Sequence, residues 1–236
     1  MSKMLDSDTT INNMEKLLNK DIRVNAFKKS IRFINYELVE GDIVEFGVYT
    51  GRSLAMLSYC NNEYYKNENS VNSKNNLKRQ IYGFDSFEGL PETDGHLRWE
   101  ENMFKYNHSY HPTIDIGVLV TPKIVEDFFF KMNLNKPIIK KNYYNELNID
   151  DIDSIALCHI DCDLYSSTKD ALNLIKKKLV NGSIIMFDDW FNNKANPNTG
   201  EQKAYNEFLE ENKNIHSQVF DIYGTFCKAF VINIDK

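Results

Sequence analysis

Little in this chain points to chemistry carried by thiols, membranes or polyanions. It has four cysteines, Cys60, Cys158, Cys162 and Cys227, and no two of them form a CxxC pair. That spacing offers neither a redox motif nor a paired metal knuckle, so reduced and mostly buried thiols are expected. Cys158, His159 and Cys162 lie close together, but alternate side chains of a strand face opposite ways. Cys158 and His159 should therefore diverge, and zinc is not expected there. No apolar run approaches the ~20 residues of a membrane-crossing helix. The first twenty residues are polar and lack the apolar centre of a signal peptide, so the chain is expected to stay in the cytoplasm. A basic excess is missing too. Lys and Arg number 28 against 34 Asp and Glu, giving a net charge of −6. That balance argues against nucleic acid or an anionic membrane as the main partner.

What is present is enough for one sizeable α/β domain: 236 residues, 42% of them hydrophobic. Phe27, Ile31, Ile34 and Leu38 recur at helical spacing, and Gly41 is expected to end that helix. Ile43 to Val48 reads as a first strand, and a helical pattern resumes from Ser53 to Tyr59. Asn61 to Lys78, rich in Asn and Lys, reads as a solvated surface insertion. Ile81 to Phe84 is a second strand closed by Asp85. Thr121 to Met132 reads as a helix with Pro122 in its first turn. Pro137 to Ile139 is a weak third strand and Ile155 to Ile160 a fourth. Ser167 to Asp170 resembles a capping box with Asp in place of Glu. Ala171, Leu172, Ile175 and Leu179 continue that helix face, with Gly182 as its stop. Ser183 to Phe187 is a fifth strand, and Lys203 to Glu211 a helix with Ala204 and Phe208 facing in. Gln218 to Ile222 and Ala229 to Ile234 finish as a hairpin-like pair. Alternating strands and helices followed by two strands predict a mostly parallel, seven-stranded sheet with an antiparallel C-terminal edge strand.

Four aspartates carry the strongest chemical signal. Asp161 and Asp163 follow the fourth strand, and Asp188 and Asp189 follow the fifth. A strand–helix–strand unit makes these strands parallel, so both acidic pairs fall at carboxyl ends, where open sheets bind ligands. A single aspartate after a strand ordinarily caps a helix or sits in a loop. Two adjacent strands ending in paired acids imply a positive charge among them. Oxygen-only donors suit a hard cation such as magnesium. Asp161, Asp188 and Asp189 are the candidate metal ligands. Asp163, with Asp161 beside it, is the candidate catalytic pair, and Asp163 is the expected base.

Val44 to Gly51 reads acid-x-Gly-x-x-x-Gly on a strand-to-helix turn. It lacks the G-x-G-x-x-G spacing of nicotinamide-cofactor sites, and Glu45 would repel a phosphate. An acid there favours a ligand with cationic and hydroxyl groups, which S-adenosylmethionine offers. Glu45, Gly47, Tyr49, Gly51 and Ser53 are the candidate cofactor contacts on this turn, and Arg52 is placed to touch cofactor or acceptor. Asp85, at the end of the second strand, can accept both ribose hydroxyls, with Ser86 next to it. The expected chemistry is methyl transfer. A cation orients and acidifies a hydroxyl, a carboxylate takes its proton, and the oxygen attacks the sulfonium methyl in line.

VEFGVYTGRS, YGFDSFEGLPE, HIDCDLYSSTKDAL, GSIIMFDDWF and GEQKAYNEF, in that order, resemble the macrocin O-methyltransferase group, bacterial sugar O-methyltransferases of macrolide and aminocoumarin biosynthesis. The resemblance runs from about Glu37 to the C-terminus. It implies a Rossmann-like class I methyltransferase fold that uses S-adenosylmethionine and magnesium to methylate a hydroxyl of a deoxysugar or related glycan. It also implies that Glu45 and Gly47 line the methionine end of the cofactor and that Asp85 holds the ribose. Asp161, Asp188 and Asp189 would bind the metal, and Asp163 would act as base. Asn142 to Leu147 occupies the place of the family's adenine-side segment. The implied division is an N-terminal helical segment 1–40, serving as lid or subunit contact in a homo-oligomer. A methyltransferase domain 41–236 would follow, with a lid insertion at about 92–118.

That insertion contains His96, Trp99, Tyr106, His108, Tyr110 and His111, an amphipathic set suited to sugar faces. His108 or His111 is an alternative base. A catechol-like diol would satisfy the same metal chemistry. A metal-dependent phosphoesterase would need basic residues beside the acids, and Lys169 is the nearest in sequence.

Overall fold

A computed structural model of the chain describes Leu18 and residues 21–66, 79–92 and 99–235. Helix α1 (Arg23–Tyr36) precedes strand β1 (Asp42–Phe46), helix α2 (Arg52–Lys66) and strand β2 (Ile81–Asp85). Helix α3 (Pro122–Lys131), strand β3 (Ile138–Lys141), a 3-10 turn (Tyr144–Glu146), strand β4 (Ile155–Ile160) and helix α4 (Tyr165–Ile175) follow. Strand β5 (Leu179–Phe187), helix α5 (Gly200–Glu211), strand β6 (Ile215–Tyr223) and strand β7 (Cys227–Ile234) complete the chain.

The seven strands form one sheet in the order β3-β2-β1-β4-β5-β7-β6. β1 pairs in parallel with β2 on one side and β4 on the other. The chain's path reverses across that pair, so a crevice opens at the carboxyl ends of β1 and β4. All six residues of β4 are buried, as expected of a strand with helices over both faces. Its alternate side chains feed two cores. Phe27, Ile31 and Ile34 of α1, Leu54 of α2 and Phe129 of α3 pack with Leu157 on one face. Leu172 of α4 and Phe208 of α5 pack with Cys158 and Ile160 on the other. Cys158 and His159 thus diverge as the alternation requires. No helix among the described residues is long and apolar enough to cross a membrane.

Several local readings need correction. Leu38 lies beyond α1, 45% exposed and with φ 55°, so the helix stripe ends at Ile34. Asn61 continues α2 as a buried residue; the rest of the expected insertion, residues 67–78, lies outside the described residues. Ser167 is not a cap. α4 already begins at Tyr165, and Thr168 Oγ1 donates back to the Leu164 carbonyl at 2.8 Å. Gly182 does not stop α4 but lies within β5. The sheet itself is mostly parallel with antiparallel C-terminal strands, as expected; β7 runs antiparallel to both β5 and β6, and β6 forms the edge. Residues 99–118 are irregular; His96 lies outside the described residues.

Candidate active site

The glycine turn after β1 is shaped by the chain itself. Gly47 has φ +87°, and a Cβ there would sit 1.8 Å from the Asp161 carbonyl oxygen. Only glycine lets the ends of β1 and β4 approach this closely. Gly51 has φ +80°, and its missing Cβ makes room for Val125 of α3. The Tyr49 amide donates to Asp85 Oδ2 at 2.8 Å, and the Phe87 amide donates to Oδ1 at 2.7 Å. The Asp85 carboxylate therefore ties the turns after β1 and β2 together. Burial pushes its pKa up, and these amides only partly oppose that. The Tyr49 hydroxyl donates to the Tyr106 carbonyl at 3.0 Å and accepts the His108 amide at 2.9 Å. Its ring stacks on His108 at 5.4 Å, which ties residues 106–108 to the glycine turn.

Glu45 is placed differently from expectation. It is fully buried in β1, and its Oε1 lies 2.8 Å from Nδ1 of the equally buried His159 in β4. One carboxylate oxygen thus bonds to a neighbouring strand, while Oε2 is buried without a hydrogen-bond partner. His159 Nε2 has no hydrogen-bond partner and lies 3.7 Å from Asp188 Oδ1, an ion-pair distance. Burial opposes charge on this imidazole, but Asp188 and Glu45 outweigh it and raise its pKa to about 10. The Phe27 ring meets it edge-on at 5.1 Å.

Asp161 and Asp188 come together as the sequence suggested. Arg23 Nη1, from the start of α1, donates to Asp161 Oδ2 and Asp188 Oδ1 at 3.3 Å each. His159, Asp161 and Asp188 offer donor atoms within 4.8 Å of one another, a grouping that does not include Asp189. Burial and the charge of Asp188 push Asp161 well above the usual carboxylate range. Burial also opposes ionisation of Asp188, but Arg23 and His159 hold it below that range.

Asp189 faces a second group of acids. Asn192 Nδ2 donates to its Oδ1, and Glu201 Oε2 accepts its amide at 3.0 Å. Asp163 lies near enough to Asp189 for each to perturb the other's titration. Burial and Asp188 push Asp189 up to about 6, and burial and Asp189 push Asp163 well above its ordinary value. Asp163 takes φ 61°, a left-handed conformation rare for a non-glycine residue and the kind of strain found at functional sites.

These groups border one cavity of about 570 Å³. Gly47, Tyr49, Asp85 and Ser86 line it together with Asp161, Asp163 and Asp188. Tyr143, Tyr144, Ser167, Asp170, Trp99 and Phe104 also border it. Of the expected cofactor contacts, Glu45, Gly51 and Ser53 are not among the cavity's lining residues. His108 and His111 are not among them either, and burial depresses His111 to about 3.

Arg23, His159 and Glu201 escaped the sequence reading as members of the site. The strand alternation that separated His159 from Cys158 was a usable signal, since it turned the imidazole toward the face of Glu45. Glu201 opens the GEQKAY segment, where its acid stood out among helix formers. Nothing local marks Arg23, which lies 138 residues before Asp161. Lys169, nearest in sequence, pairs instead with Glu207 at 3.1 Å.

The two carboxylates suit a divalent cation, since they already share one positive group, the Arg23 guanidinium. The same cavity offers features that suit a nucleoside, a carboxylate at a strand end and aromatic rings in its lining.

Residues 17–228 match the macrocin-O-methyltransferase (TylF) family. The 8-demethyl-8-(2,3-dimethoxy-α-L-rhamnosyl)-tetracenomycin-C 4′-O-methyltransferase of Streptomyces olivaceus is 27% identical over 174 residues, 71% of this chain. The match spans 60% of that protein's own length. Among solved structures, the O-methyltransferase NovP superposes with a TM-score of 0.64 at 18% identity, over 89% of this chain and 78% of its own. The calicheamicin methyltransferase CalS11 gives 0.57 at 22% identity, over 96% of this chain and 91% of its own. At these identities the likeness establishes a shared fold.

Proposed function

This chain belongs to the macrocin O-methyltransferase family, and on that premise we propose that it transfers a methyl group from S-adenosylmethionine to a sugar hydroxyl. Magnesium or a similar divalent cation would sit at Asp161 and Asp188. The observation that carries this reading is the single cavity bordered by Asp85 and by Asp161, Asp163 and Asp188. A nucleoside carboxylate site and a cation site that share one space suit transfer between two bound partners.

Asp85, already anchored by two amides, has lone pairs left for ribose hydroxyls, and Ser86 stands beside it. Tyr143, Tyr144 and Asp170, also in the lining, suit the adenine. Asp161 and Asp188 hold the cation, which when bound would orient the acceptor hydroxyl and lower its pKa. Asp163 would take the proton as general base. Asp189, fixed by Asn192 and Glu201, would join Asp161 and Asp188 as a ligand of the cation. Trp99 and Phe104 present aromatic faces at the cavity wall, suited to the apolar face of a sugar ring. The rhamnosyl group in the Streptomyces relative's name makes a 6-deoxyhexose the acceptor to test first.

The test is to incubate the protein with S-adenosylmethionine and rhamnosides, free and nucleotide-linked, with and without EDTA. The expected products are S-adenosylhomocysteine and a methylated sugar, lost with EDTA and restored by magnesium. Methylation of catechols with none of the rhamnosides would move the assignment to a small-diol methyltransferase.

A further inference from the structure

Arg23 occupies a peculiar position. Its Nε and Nη2 are gripped by Asp21 Oδ1 and Oδ2, both at 2.9 Å, and its own amide donates to Asp21 Oδ1 at 3.0 Å. Only Nη1 reaches across to Asp161 and Asp188, at 3.3 Å each. Charge-assisted bonds ordinarily close to about 2.7–2.9 Å. Arg23 is thus held tightly by the residue two positions before it and leans loosely on the two acids. Asp21 and Arg23 together are neutral, so the pair can withdraw without stranding a buried charge. The place where they sit favours withdrawal. Ile22, at the cap position of α1, makes no side-chain cap bond and is 61% exposed, and the first turn of α1 has no acidic residue. Phe27, Ile31 and Ile34, further along, are buried in the core and keep the helix docked.

We propose that Arg23 is a built-in competitor for the divalent cation at Asp161 and Asp188, and that cation binding releases the Asp21–Arg23 corner from the site. The inference rests on the cation site of the proposed function. A guanidinium and a divalent ion would draw on the same two oxygens, and their like charges repel at that range. The ion makes the shorter contacts, about 2.0–2.1 Å for magnesium, and prevails when present. Without it, Arg23 neutralises the acids and keeps α1 closed over them. Arg23 is a positioning residue of the reaction, acting through the two acids.

Calorimetric titration of magnesium into EDTA-stripped full-length protein tests this, with Arg23→Gln and Asp21→Asn alongside. Arg23→Gln should bind magnesium about tenfold more tightly than wild type. Asp21→Asn should bind it more weakly, because Arg23 then leans wholly on Asp161 and Asp188. Hydrogen exchange of wild-type amides 22–27 should quicken when magnesium is added, a readout that loss of one positive charge in a variant does not supply. Equal or weaker magnesium binding by Arg23→Gln overturns the proposal and leaves the cation site standing. Slower or unchanged exchange at residues 22–27 overturns it also, and needs no variant to fold. Absence of magnesium binding in wild type and variants alike overturns both the latch and the cation site.

Discussion

At Asp188 three roles converge: it accepts from Arg23, faces His159 and borders the cavity. Asp188→Ala should therefore abolish magnesium binding in calorimetry while leaving S-adenosylmethionine binding largely intact. Asp85→Asn should do the reverse. It keeps the side chain's shape but loses charge-assisted bonds worth about 1.5–3 kcal/mol each, so cofactor affinity should fall at least tenfold with magnesium binding retained. If Asp188→Ala loses the cofactor and keeps the metal, the two sites are wrongly assigned. The acids were legible in the sequence because a residue that ends a parallel strand has a known address. Asp189 was read as a third metal ligand from its place after the fifth strand and from the family resemblance. Successive residues point different ways, and its neighbours are Asn192, Glu201 and Asp163. Glu45 was harder to place. It stands inside β1, where its direction depends on which strand lies alongside, and that strand brings His159.

Elements came through better than their ends. The apolar periods located α1, α3, α5 and the buried strands, since burial of one face is what those patterns record. Ends failed where a polar residue had two plausible uses. Thr168 looked like part of a cap and instead bonds within the helix, while Asp170 borders the cavity. The turn between β1 and α2 permits a sharp test of which contacts set its shape. Gly47→Ala places a methyl group against the fixed Asp161 carbonyl in a left-handed conformation, and should destabilise by about 3 kcal/mol or more. Gly51→Ala meets side chains alone, crowding Val125 at 2.7 Å and touching Phe128 and Phe129 at an ordinary 3.7 Å. It should destabilise by about 1–2 kcal/mol. Thermal melting of the two variants checks the order. Equal losses would mean that the β1–β4 approach is not what demands glycine at 47.

Across the whole molecule the strand order was partly legible, since alternation of strands and helices predicts a parallel sheet. The insertion of β7 between β5 and β6 was not, because a hairpin can join a sheet by either strand. The N-terminal helix brings the largest surprise: it delivers a cation to acids more than a hundred residues away. The site's electrostatics also make stability depend on pH. Asp161, Asp163, Asp189 and Glu201 are all pushed upward, so the folded state holds their protons more tightly than the unfolded chain does. Their contribution fades as pH rises, for Asp189 through about 6. His159 acts in the same direction: its contribution is full below its ordinary value of 6.5 and lost as pH rises through about 10. Asp188, held low, contributes above 3.8 and loses its contribution only in acid. Metal-free protein should therefore melt at progressively lower temperature from pH 6.5 to 10, and His159→Gln should flatten that slope. A flat wild-type profile would mean that His159 is neutral between Glu45 and Asp188. The most direct test of the central claim is calorimetric titration of the purified protein with S-adenosylmethionine, then with magnesium, then with EDTA. The expected result is saturable one-to-one cofactor binding and a separate magnesium signal that EDTA removes. Magnesium binding with no S-adenosylmethionine binding would contradict the methyltransferase assignment and make phosphate esters the substrates to test.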